Sequence, residues 1–72
     1  MNDTMQARRD AFLMLTGEVT VTDPKRWLVV LGATSVDFGW NTWDTKEEAE
    51  SDALAAIDEG FFEVNVHDLD AQ

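Results

Sequence analysis

From Thr4 to Leu15 the apolar residues Met5, Ala7, Ala11, Phe12, Met14 and Leu15 share one broad arc of a 3.6-residue period, with Gln6, Arg9 and Asp10 opposite. The pattern predicts an amphipathic helix. Asp3 with Gln6 three residues on resembles a capping box, and Gly17 stands where a left-handed C-terminal cap is expected. Leu13 falls off the arc. At Glu18 the period changes to two: Val19 and Val21 alternate with Glu18, Thr20 and Thr22, the pattern of a half-buried strand. Thr22-Asp23-Pro24-Lys25 then breaks the alternation, because proline fixes the backbone for a turn, and a hairpin connection is expected there.

The unbroken apolar run Trp27-Leu28-Val29-Val30-Leu31 suits a central strand covered on both faces. After a turn at Gly32-Ala33-Thr34-Ser35, a third strand from Val36 to about Asn41 puts Val36, Phe38 and Trp40 on one face. Thr45 to Glu59 is a second helix. Its Thr45 and Glu48 fit a capping box, Gly60 supplies the stop, and Ala49, Ala53, Ala56 and Ile57 form a narrow apolar stripe. In a last strand Phe62, Val64 and Val66 alternate with Glu63, Asn65 and His67, and the tail from Asp68 to Gln72 is expected to fray. Sequential strands with short connections imply an antiparallel meander, which the last strand joins after the second helix crosses one face. The expected fold is a single α+β domain over residues 1–72. It has two layers, an antiparallel sheet of about four strands, and the order α-β-β-β-α-β. The first helix either packs beside the second or reaches a partner chain, which leaves a homodimer open.

Composition fits a globular chain: of 72 residues, 44% are hydrophobic and 28% charged, and there is no cysteine for a disulfide or thiolate site. Five Lys and Arg against 15 Asp and Glu give a formal charge of -10. Nucleic acid and anionic membranes both attract cationic surface, so direct binding to either is not expected. The first twenty residues hold no unbroken apolar run, so neither a signal peptide nor a membrane span is predicted and a cytoplasmic location is expected.

The charge is unevenly placed. Up to Val36, Asp3, Asp10, Glu18 and Asp23 balance Arg8, Arg9, Lys25 and Arg26, whereas beyond it eleven acidic residues face Lys46 alone. On the second helix Glu48, Asp52 and Glu59 fall within about 40° of one another, and Glu47 lies close in angle to Asp58. Glu48 and Asp52 stand about 6 Å apart along the axis, comparable with steps along a nucleic-acid backbone. Glu47 and Glu48 favourably oppose the helix dipole, as an ordinary solvent face would, but Asp58 and Glu59 in the last turn oppose it unfavourably. A helix shaped for stability alone would carry lysine there. The candidate partner-binding residues are therefore Glu47, Glu48, Asp52, Asp58, Glu59 and Glu63, with Trp40 and Trp43 as apolar anchors or as core under the second helix.

Catalysis is not expected from one histidine, no cysteine and no tyrosine, with no serine in a nucleophile setting. His67, Asp68, Asp70 and Glu63 match no metal-ligand spacing, and the glycines form no phosphate cradle, so neither metal nor cofactor is predicted.

The short length, the lack of cysteine, and the acidic run Asp44-Thr45-Lys46-Glu47-Glu48-Ala49-Glu50-Ser51-Asp52 with Asp58-Glu59 after it resemble a class of proteins. These are the small acidic proteins of phages and mobile elements, among them anti-CRISPR proteins and DNA-mimic inhibitors. The resemblance implies a non-enzymatic inhibitor that blocks the basic surface of a nucleic-acid-binding protein, such as a CRISPR effector subunit. The alternative from another class is a small self-associating structural or adaptor module whose acidity serves only solubility.

Overall fold

The computed structural model describes residues 3–32 and 38–71. The chain runs α1 (Asp3–Thr16), β1 (Trp27–Gly32), β2 (Phe38–Trp43), α2 (Lys46–Glu59), β3 (Glu63–Asp68) and a 3₁₀ turn (Leu69–Ala71). The α+β class holds, with a sheet of three strands in the order β2-β1-β3, both pairings antiparallel. β1 is central because its side chains are apolar on both faces: Leu28 and Val29, adjacent and pointing opposite ways, are each fully buried.

That two-sidedness replaces the expected two layers with three. Leu28 joins Ala11, Phe12 and Leu69 in a cluster under α1, with Val30 and Trp40 packed against it. Val29 joins Ala49 and Ala53 of α2, with Trp27, Leu31, Trp43 and Val64 at its edge. The helices therefore cover opposite faces of the sheet rather than packing side by side. On α2 the inward residues Ala49, Ala53 and Ala56 are small, which lets the helix lie close on the strands.

The expected strand around Val19 and Val21 is absent, and with it one of the four strands. Both edges of β1 are taken by β2 and β3, and the chain must return from the end of α1 to the start of β1. A 14-residue helix is about 20 Å long, and the irregular segment 17–26 spans that return. Its carbonyls find partners on α1 instead of in a ladder. Arg8 donates to the carbonyl of Pro24 at 3.2 Å, and Arg9 donates to that of Thr22. Val19 is left exposed while Pro24 is buried, so Asp23-Pro24 anchors a connection rather than turning a hairpin.

β2 runs on to Trp43, two residues beyond the end the sequence reading gave its strand, and its register pairs Gly32 with Phe38 and Trp27 with Trp43. The turn assigned to Gly32-Ala33-Thr34-Ser35 falls largely outside the described residues, as do Val36 and the side chain of Phe38. Besides Val19, five residues assigned to apolar faces are exposed: Ala7, Met14 at 83%, Ile57 at 57%, Phe62 at 83% and Val66 at 36%. Met14 and Ile57 lie at the margins of their arcs, Phe62 just outside its element, and Val66 on the edge strand β3. Leu13, off the arc, is exposed. Asp3 lies inside α1 rather than before it, and Gln6 donates to Asp10 instead of capping.

Both C-terminal caps form as read, with Gly17 at φ 74° and Gly60 at φ 106°. At the head of α2 the Glu48 amide donates to the Thr45 hydroxyl and the Thr45 amide to the Glu48 carboxylate, both at 3.2 Å. The tail does not fray through Ala71. Leu69 is 1% exposed and seals the α1 cluster, and its amide donates to the Arg26 carbonyl at 2.9 Å. Two bidentate pairs hold the rest: Arg8 grips Asp70 at 2.8 and 2.9 Å, and Arg26 grips Asp68 at 2.9 and 2.8 Å.

Candidate partner-binding face of the second helix

Helical spacing divides the surface of α2 into sectors around its buried alanines. Glu48, Asp52 and Glu59 occupy the flank above β2, and Glu47 and Asp58 point away from the sheet. The other flank, above β3, carries Lys46, Glu50, Leu54 and Ile57. Six carboxylates against Lys46 make the helix strongly acidic.

Asp52 ties this flank to the sheet. Its Oδ2 accepts from the Trp43 indole N–H at 3.1 Å and from the Asn41 amide at 3.3 Å, so two donors on one face of β2 hold one carboxylate of α2. Beside it lies a groove of about 450 Å³ lined by Trp43, Glu47, Glu48, Ser51, Asp52 and Ala55. An indole edge bounded by carboxylates suits an alkyl chain ending in a cation, since the ring covers the stem and the carboxylates meet the charge. Sequence reasoning missed Asn41, Ser51 and Ala55. The signal for Asn41 was its two-residue spacing from Trp43, which places both side chains on one strand face.

The structure separates the two tryptophans proposed as anchors. Trp43 faces α2, whereas Trp40, three residues earlier, faces α1 and meets Phe12 edge-to-face at 4.8 Å between ring centres. Trp40 is thus part of the packing under α1. Glu63 also leaves the group: β3 residues 63, 65 and 67 pair with Gly32, Val30 and Leu28, which places Glu63 on the α1 side of the sheet. Of the sequence candidates, Glu47, Glu48, Asp52, Asp58, Glu59 and Trp43 remain on or around α2.

Asp44, Asp68 and Asp70 behave differently, whereas Asp10, Glu18, Asp23 and Glu63 share with α2 the absence of an ion pair among the described residues. Among the described residues, the ion pairs are Arg8–Asp70, Lys25–Asp44, Arg26–Asp68 and Arg26–Asp70, and none involves α2. Hydrogen bonding from Arg26 holds the Asp68 carboxyl below its ordinary range, and that from Arg8 does the same for Asp70. Arg8 and Arg26 are therefore committed to the tail, while Arg9 bonds Thr22 and Gln6, and of the α2 carboxylates all but the half-buried Asp52 are exposed. Among the described residues no three His, Asp or Glu side chains converge as a metal site would require, and no helix is long and apolar enough to cross a membrane. The chain matches no protein-family model, no curated protein and no solved structure.

Proposed function

We propose that this protein is a non-enzymatic inhibitor that sets the acidic face of α2 against the basic, nucleic-acid-holding surface of a partner, of the kind found on CRISPR effector subunits. The observation that carries the reading is the division of charge: the tail carboxylates are spent on arginines, while those of α2 have no cationic partner among the described residues. Six acidic groups on a 14-residue helix attract a cationic surface at long range and accelerate encounter. Charge alone gives weak, salt-sensitive association, and the Trp43 groove adds a site for one lysine or arginine stem from the partner.

The test uses carboxylates that take no part in the fold. Glu48 serves in the cap and Asp52 holds Trp43, so the reversal is placed at Glu47, Asp58 and Glu59, each changed to Lys. Immobilised protein is expected to retain a nucleic-acid-binding protein from the lysate of a bacterial host, to release it at moderate salt, and to lose it to added duplex DNA or RNA. The triple variant, with an unchanged circular dichroism spectrum, is expected to retain none. Equal retention by both forms, or a partner indifferent to salt and nucleic acid, would refute the reading.

A further inference from the structure

β3 is an edge strand, paired with β1 on one side only. Over its open side lies a groove of about 400 Å³ lined by Glu50, Ala53, Leu54 and Val66. Leu54 is 68% exposed, Ile57 57% and Val66 36%, so the α2 flank above this edge and the strand beneath it form one apolar strip. Exposed strand edges bordered by apolar side chains attract another strand, and natural proteins commonly block such edges with lysine, proline or a bulge. β3 has none of these blocks.

The sequence of β3 specifies what fits. Read antiparallel against itself about Asn65, Glu-Val-Asn-Val-His is self-complementary. Val64 stands opposite Val66 of the second copy on the α2 side, and Glu63 opposite His67 of the second copy on the α1 side. Asn65 faces Asn65, whose amides can exchange hydrogen bonds. A two-fold axis through this point makes each contact occur twice. Charge does not oppose the arrangement as the total of -10 per copy suggests. The row Glu48, Asp52 and Glu59 sits over β2, on the far flank, and the α2 flank brought to the axis carries Lys46 and Glu50 with Leu54 and Ile57.

We propose that two copies of this chain pair through their β3 edges about Asn65, forming a continuous six-stranded antiparallel sheet with the two α2 helices side by side on one face. Leu54, Ile57 and Val66 of both copies then close over one another. The gain matters because, among the described residues, the large apolar side chains fully buried within one copy are few: Phe12, Leu28, Val29 and Leu69. The dimer presents two acidic flanks facing outward. It is independent of whether those flanks bind a partner.

Sedimentation equilibrium of the full chain is expected to show a monomer–dimer equilibrium. Val66→Lys places like charges at the axis, and Leu54→Glu, at a side chain already exposed, does so without touching the core. Each is expected to weaken association by roughly a hundredfold while the circular dichroism spectrum is kept. The register is read separately, because the chain has no cysteine of its own. Oxidised Asn65→Cys is expected to give a disulfide-linked pair, and Met14→Cys on the exposed side of α1 is not. A monomer at every concentration leaves the edge to some other strand and overturns the proposal. A dimer unaffected by both charged variants, or cross-linked as readily through Met14→Cys, overturns it equally.

Discussion

Phe12 is wholly buried, and its ring stands at 86° to that of Trp40, so a single side chain joins α1 to β2 through an edge-to-face contact. Truncation to alanine removes that contact and opens a cavity between α1 and the sheet, at an expected cost of about 3 to 5 kcal/mol. In a domain with so few large buried residues this is expected to leave the chain mostly unfolded at 25 °C, as urea denaturation would show; Phe12→Leu is expected to lose about 1 to 1.5 kcal/mol and remain folded. Asp68 and Asp70 govern the response to acid. Both carboxyls are held below their ordinary range by arginine, so their contribution is full above the unfolded-state pKa and is lost as pH falls through the depressed folded values. Thermal stability of the native chain is therefore expected to drop more steeply below about pH 4 than that of Asp70→Asn, which already lacks the Arg8 pair at neutral pH. Parallel melting curves for the two chains across that range would show that the pair contributes nothing.

Elements with strong local signals were legible before any coordinates. α2 announced itself through Thr45, Glu48 and Gly60, because caps act on their own backbone and need no distant partner. The central strand was legible for a related reason: five successive apolar residues can be buried only if both faces are covered. The consequence, a helix on each face, was within reach of the same run but depended on where α1 returns. What local patterning could not supply was the fate of Glu18 to Thr22. Two valines in alternation look like a strand, yet the segment is held by contacts with α1 instead, the Thr22 carbonyl accepting from Arg9 and that of nearby Pro24 from Arg8. The tail escaped for a similar reason, since Leu69, Asp68 and Asp70 are ordered by residues 42 to 62 positions away. For the candidate face the acidic helix was legible and its companions were not. Trp40 and Trp43 differ by an odd number of residues, which sends them to opposite sides of a strand, and only the even-spaced Asn41 accompanies Trp43 onto Asp52. Thr45→Ala is expected to cost about 1 kcal/mol by removing the cap of α2. It should also loosen the Trp43–Asp52 contact, read as a shift in tryptophan emission below the melting transition.

At the scale of the whole molecule two electrostatic effects oppose each other. The arginine–aspartate pairs of the tail attract and are weakened by salt, while the six α2 carboxylates repel one another and are relieved by it. The pairs are bidentate and close, at 2.8 to 2.9 Å, so part of their strength is hydrogen bonding that salt does not screen. The repulsion is spread over an exposed helix, where like charges four apart such as Glu48 and Asp52 cost a few tenths of a kcal/mol per pair and the last-turn acids oppose the dipole. Screening therefore relieves more than it weakens. The melting temperature at neutral pH is expected to rise as sodium chloride increases from about 0.01 M to 0.3 M, the range over which the Debye length falls from roughly 30 Å to well under 10 Å. Reversing Glu47, Asp58 and Glu59 to Lys removes most of the repulsion, so that variant is expected to melt higher than the native chain at low salt and to lose most of the salt response. If the native chain instead melted lower with added salt, the tail pairs would dominate the energetics and the acidity of α2 would carry no cost for function to explain. A cost concentrated in a helix that carries six carboxylates with no cationic partner among the described residues is what a surface shaped for a cationic partner predicts and one shaped for solubility does not.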